Sequence, residues 1–142
     1  MNILVTGSKG FLGLHLVTYL KRNNQKVLSY DLADGENLLD EKKLSKKMKG
    51  ADAVVHLAAE GDVYRAALNP VNAAVAGVAG TASVVKAAND AGVKKIVYAS
   101  TWEVYGEPRY LPLDEKHPCM PDHPYSISSE RGAALEAPVR RS

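Results

Sequence analysis

Residues 1–13, MNILVTGSKGFLG, decide the fold: a short apolar run, Ile3, Leu4 and Val5, passes directly into Gly7, Gly10 and Gly13. A buried strand, a glycine-rich turn and a helix start in immediate succession form a cradle for a diphosphate. The first glycine permits the tight turn off the strand. The second lets backbone approach the ligand with no Cβ between them, and the third lets the new helix sit close to the sheet. Three glycines alone would also suit a plain βα turn. What favours a ligand is Asp31, which stands 18 residues beyond Gly13 at the end of the run Val27, Leu28, Ser29 and Tyr30. There a carboxylate accepts the ribose hydroxyls of an adenosine.

The rest of the chain repeats this alternation. Strand-length apolar runs fit residues 2–6, 26–30, 53–57 and 95–99, and helical patterns fit 11–23, 40–48 and 72–91. Such alternation calls for right-handed crossovers and a parallel sheet, so the fold class is α/β, doubly wound. Continuous hydrophobicity within the strands implies cover on both sheet faces. With 142 residues the chain reads as one domain over 1–142, short for an enzyme with a separate substrate lobe.

Composition excludes several function classes. The net charge is only +2, with 18 basic residues scattered among 16 acidic ones, which leaves no electrostatic footprint for nucleic acid. Lys42, Lys43, Lys46, Lys47 and Lys49 alternate with Leu44 and Met48 at helical spacing, the pattern of a solvated helix face. The lone Cys119 lies among prolines and reads as an ordinary thiol. A strand starting at residue 2 leaves no room for a signal peptide, and no 18-residue apolar run is seen. The 72–91 segment is interrupted by Asn72, Lys86, Asn89 and Asp90. The expectation is a cytoplasmic protein with no membrane, nucleic-acid or metal site.

Chemistry is suggested from residue 99 onward. Ser100 and Thr101 fall just past the fourth strand's carboxyl end, where ligands of open α/β sheets sit. Downstream, Tyr125 follows Pro124, a residue suited to a helix start. On these residues alone, the preferred reading is that Thr101 caps the strand and Tyr125 simply packs.

Taken together, Thr6-Gly7-Ser8-Lys9-Gly10-Phe11-Leu12-Gly13, Asp31, His56-Leu57-Ala58-Ala59, Gly80-Thr81, Ser100 to Gly106 and Tyr125 resemble the extended short-chain dehydrogenase/reductases. More narrowly, they resemble the NAD-dependent epimerase/dehydratase family that acts on nucleotide sugars. The resemblance implies a Rossmann-type sheet, here of about four strands, and NAD as cofactor. It places Phe11 and Leu12 beside the diphosphate with Gly7, Gly10 and Gly13, and Asp31 on the adenosine ribose. Asn37 and Leu38 fall at the adenine, where the family has Asp-Leu, and Leu57, Ala58 and Ala59 near the second ribose and nicotinamide. Ser100 and Tyr125 also fall at the cofactor. Thr101 takes the substrate-binding position and Tyr125 that of the catalytic base. His56 reads as a structural strand-end residue. The resemblance further implies a dimer interface formed by the 72–91 helix and the tyrosine helix, so the expectation is a homodimer or higher homo-oligomer.

Two members of the expected constellation are absent. Tyr-x-x-x-Lys becomes Tyr125-Ser126-Ile127-Ser128-Ser129, and the asparagine three residues before Gly80-Thr81 is Gly77. In the family the lysine activates the phenol. A cation ~4 Å away at an effective dielectric of about 20 is worth on the order of 4 kcal/mol, or roughly three pKa units. Arg131, six residues from Tyr125, points elsewhere on a helix. The last twelve residues hold Arg131, Arg140 and Arg141 but no lysine, and Pro138 would break a helix, so residues from about 129 read as an atypical continuation. The sequence reading is therefore an NAD-binding domain without a substrate domain and not competent alone, or else a non-catalytic dinucleotide-binding sensor or scaffold, or an inactive remnant.

Overall fold

The computed structural model describes residues 1–135. At its centre is a four-stranded parallel sheet made of β1 (Asn2–Thr6), β2 (Lys26–Tyr30), β3 (Ala53–His56) and β4 (Lys95–Tyr98), in the order β2-β1-β3-β4. All four strands lie where the apolar runs put them, with β3 and β4 ending one residue early. Register runs straight across the sheet: Leu4 is level with Leu28 and with Val54, and Val54 with Ile96.

From β1 the chain reaches β2 through α1 (Phe11–Arg22), then reverses and crosses β1 to reach β3 through α2 (Glu41–Met48). Right-handed crossovers in opposite directions put α1 and α2 on opposite faces. The connections leaving β1 and β3 consequently diverge, which opens the crevice where doubly wound sheets take ligands. The main core lies under α2, where Leu44 and Met48 pack with Leu4, Tyr30, Val54 and Val84. Each is fully buried or nearly so, and full burial of such a side chain contributes roughly 1.5–3 kcal/mol.

The expected 72–91 helix starts earlier and is compound. It runs as α4 (Pro70–Ala74), a π-helical turn (Val75–Gly80) and α5 (Thr81–Asp90). Asn69 caps α4 by accepting from Asn72 N at 3.1 Å, and Pro70 takes the first turn. A helix the sequence did not signal, α3 (Val63–Leu68), precedes it, capped by Asp62 on Arg65 N at 3.0 Å. Its six residues are too few to show a helical period. The Pro70–Asp90 helix is long and apolar enough to cross a membrane, contrary to the expectation that no run qualifies, because only Lys86 and Asp90 charge it. In the fold it lines the core, with Ala73, Gly77, Gly80, Thr81, Val84, Ala87 and Ala88 buried.

Cover of the sheet is less complete than the strand composition suggests. On β4, Lys95 and Val97 are exposed, Val97 at 45 %, because the strand stands at the sheet's edge. The tyrosine helix, α6 (Pro124–Leu135), starts at Pro124 as expected and packs against α3, α4 and the π-turn. Pro138, Arg140 and Arg141 lie outside the described residues.

Candidate functional site

At the carboxyl end of β1, Gly7 takes φ +65°, and a Cβ there would stand 2.8 Å from Ala58 N. The turn off β1 therefore runs directly against the backbone leaving β3. A Cβ on Gly13 would fall 2.0 Å from Gly7 O, so only glycine lets α1 dock here. Gly10 caps α1 without a side chain, and no acidic residue stands in the first turn. The N–H groups there remain available to an anion. Ser8 Oγ is buried in the same turn with no partner among the described residues.

This turn forms one wall of a cleft of about 640 Å³. Its lining brings together Gly7, Gly10, Asp31, Asn37, Leu38, Leu57, Ala58 and Ala59 from four separate stretches of sequence. Gly13 is buried beneath the turn, and Phe11 and Leu12 stand 80 % and 60 % exposed at the start of α1. Ser100, Thr101 and Tyr125 are not part of this lining.

Asp31 is held firmly. Its Oδ2 accepts from Lys9 N at 2.8 Å and its Oδ1 from Ala33 N at 2.9 Å, while its own N–H donates to Glu36 Oε2. Around it stand charges that the sequence reading did not single out. Lys9 Nζ pairs with Asp34, and Lys47 Nζ with Glu36 at 2.8 Å. Lys9 lies within the glycine-rich stretch and Asp34 three residues past Asp31, but nothing local signals that they meet. Tyr30 donates to Asn37 O at 2.8 Å, fixing the loop beyond β2, and burial pushes its phenol up to about 12. Asn37 Oδ1 accepts from Leu39 N at 2.9 Å, so part of the acceptor capacity expected for adenine is used within the loop itself.

Beneath the cleft, His56 is buried between two threonines, with Nδ1 2.6 Å from Thr6 Oγ1 and Nε2 3.0 Å from Thr81 Oγ1. Burial lowers its pKa to about 4, which keeps the ring neutral. It is a structural residue, as its sequence position suggested.

The remaining candidates gather beyond β4. Thr101 caps the 3-10 helix Trp102–Tyr105 by accepting from Glu103 N at 3.3 Å. Tyr125 lies half-buried in the first turn of α6, its ring parallel to His123 with centroids 6.1 Å apart. The His123 ring places Nε2 3.1 Å from Glu103 Oε2, an ion-pair distance, and accepts from Ser126 N through Nδ1. Glu103 and His123, both unflagged in the sequence, thus tie the Thr101 segment to the Tyr125 helix. They line a second hollow with Trp102, Glu107 and Asp122.

The two absent members also have a structural counterpart. Ser129 is buried, and its carbonyl accepts from Tyr98 Oη at 3.2 Å. Gly77 lies so close to α6 that a Cβ would fall 2.9 Å from both Cβ and Oγ of Ser128. The space an asparagine side chain would need is occupied.

With this geometry, comparison with known proteins is specific. Residues 3–137 match the NAD dependent epimerase/dehydratase family. A putative UDP-glucose 4-epimerase of Methanocaldococcus jannaschii is 38% identical over 92% of this chain and 48% of its own length. A short-chain dehydrogenase/reductase superfamily protein of Agrobacterium tumefaciens, solved with bound NAD, superposes with TM-score 0.90 at 34% identity, over 100% of this chain and 46% of its own. The UDP-glucose 4-epimerase of Thermotoga maritima, solved with UDP-glucose, gives 0.92 at 26% identity, over 100% and 52%. The chain thus spans about half the length of these relatives.

Proposed function

The chain belongs to the NAD-dependent epimerase/dehydratase family, and on that premise we propose that its cleft binds NAD and that its residues, as they stand, do not turn over a sugar. What carries the cofactor reading is the convergence of the glycine turn, Asp31, Asn37 and Leu57 to Ala59 on one cleft at the switch point of the sheet. The fit is physical. The turn leaves helix N–H groups open to a diphosphate, and the Asp31 carboxylate is oriented by two backbone donors to accept ribose hydroxyls. Asn37 and Leu38 flank the adenine, and the backbone of Leu57 to Ala59 carries the nicotinamide side.

Bound NAD supplies a hydride acceptor for a sugar hydroxyl. Tyr125 is the residue to take that hydroxyl's proton, and Thr101, still able to donate its own hydroxyl hydrogen, is the one to orient it. Ser129 brings no cation to the phenol, and the Gly77 site holds no carboxamide. The close packing of Gly77 on Ser128 favours a dinucleotide-binding module over an enzyme awaiting a substrate, since the fold has closed over that position.

Calorimetric titration with NAD, followed by a turnover assay with UDP-glucose, tests both halves. Expected are NAD binding, weaker binding of the 2′-phosphorylated cofactor, about tenfold loss of NAD affinity in Asp31→Ala, and no epimerisation. Absence of NAD binding overturns the cofactor reading. Measurable epimerisation overturns the non-catalytic one.

A further inference from the structure

The corner of the cleft that would face an adenosine ribose holds a cation as well as the expected carboxylate. Lys9 lines the cleft, and its backbone N–H donates to Asp31 Oδ2 at 2.8 Å, so the lysine is anchored next to the carboxylate that takes the ribose hydroxyls. Its ammonium, however, is tied to Asp34. Asp34 ends the 3-10 helix Leu32–Asp34 that Asp31 caps, and it is not among the residues lining the cleft. The other charge in this corner, Glu36, is engaged by Lys47 and by Asp31 N. Asp34 thus pairs with Lys9 without itself lining the cleft.

A 2′-phosphate entering here would meet the Asp31 carboxylate, and Lys9 is the only cationic side chain among the residues lining the cleft. An ammonium hydrogen-bonded to a carboxylate has its charge neutralised locally and its direction fixed, so it cannot serve a phosphate without giving up that partner. We infer that Asp34 is a specificity-determining residue: by engaging the Lys9 ammonium it makes the cleft reject a 2′-phosphorylated dinucleotide, reinforcing the repulsion from Asp31. This rests on the NAD reading above. Asp34 acts through Lys9, and its side chain is 42% exposed, so asparagine fits without disturbing the fold.

The test is calorimetry with NAD and with NADP on the whole chain, its Asp34→Asn variant and the Asp34→Asn/Lys9→Met double variant. Asp34→Asn is expected to bind NADP about tenfold tighter at low salt while NAD affinity changes by less than about twofold. The gain should shrink as salt is raised and vanish in the double variant. Unchanged NADP affinity in Asp34→Asn, with NAD still bound, overturns this inference and leaves the NAD reading intact, as does a gain that survives loss of Lys9. Failure of the unaltered chain to bind either dinucleotide removes the NAD reading and this inference together.

Discussion

His56 is a residue whose protonation is dictated from both sides. Thr81 Oγ1 donates to Gly77 O at 2.6 Å, so it must accept from His56 Nε2–H. Nδ1 is then the acceptor for the Thr6 hydroxyl, whose oxygen in turn accepts from the N–H groups of Leu57 and Ala58 at 3.2 and 3.3 Å. One tautomer satisfies this chain of bonds, and a proton on Nδ1 would break it. Folded His56 therefore resists protonation until about pH 4, whereas an unfolded histidine takes its proton near 6.5. As pH falls between those values the unfolded state gains the proton first, so stability declines, by about 3 kcal/mol in all. Urea unfolding between pH 7 and 4.5 should show this loss, and His56→Gln should lower the slope by one proton's worth. Equal slopes would mean that His56 titrates normally when folded. A structural role was legible from the residue's place at a strand end. Its partners were not, since Thr6 and Thr81 lie 50 and 25 residues away.

The contact between the π-turn and α6 is tight enough for each element to constrain the other. A Cβ on Gly132 would stand 2.6 Å from Gly77 O and 2.7 Å from Tyr98 Oη, so small residues on both sides bring these two elements into backbone contact. Returning the family's asparagine by Gly77→Asn should therefore destabilise the chain by about 1–3 kcal/mol, the range for overpacking a tight core, instead of repairing the site. The urea midpoint would report it, and an unchanged midpoint would show that α6 can yield. At this scale the sequence was informative wherever period or glycine spacing could speak. The four strands, α1, α2 and the start of α6 were readable from apolar runs and from Pro124. The short α3 and the π-turn were not, because neither contains a full period. The same limit applies to the site: Gly7 and Asp31 were read from motif spacing and Leu57 to Ala59 from the family resemblance, whereas the Lys9–Asp34 and Glu103–His123 pairs exist only once the loops beyond β2 and β4 have folded.

Across the whole molecule, one set of exposed apolar side chains stands on helices that pack together. Tyr64 and Leu68, one turn apart on α3, are 83 % and 86 % exposed, and Val71 on α4, Val75 in the π-turn and Ile127 on α6 are 68 %, 40 % and 43 % exposed. α3, α4 and α6 pack against one another, so these side chains project from neighbouring helices. A monomer rarely leaves a contiguous apolar face of several hundred Å² in water, and the remedy that costs least is a two-fold pairing of that face with itself. Of these residues Val75 also lines the dinucleotide cleft, whereas Tyr64, Leu68, Val71 and Ile127 do not. The chain should therefore run as a dimer in light scattering over the micromolar range, and Leu68→Glu should shift it toward monomer by placing paired carboxylates in the interface. NAD affinity should survive that shift, because Leu68 is not among the residues lining the cleft. A monomer at every concentration would show that this face tolerates water. A dimer unaffected by Leu68→Glu would place the contact elsewhere, with the exposed edge at β4 and its Val97 as the next surface to alter.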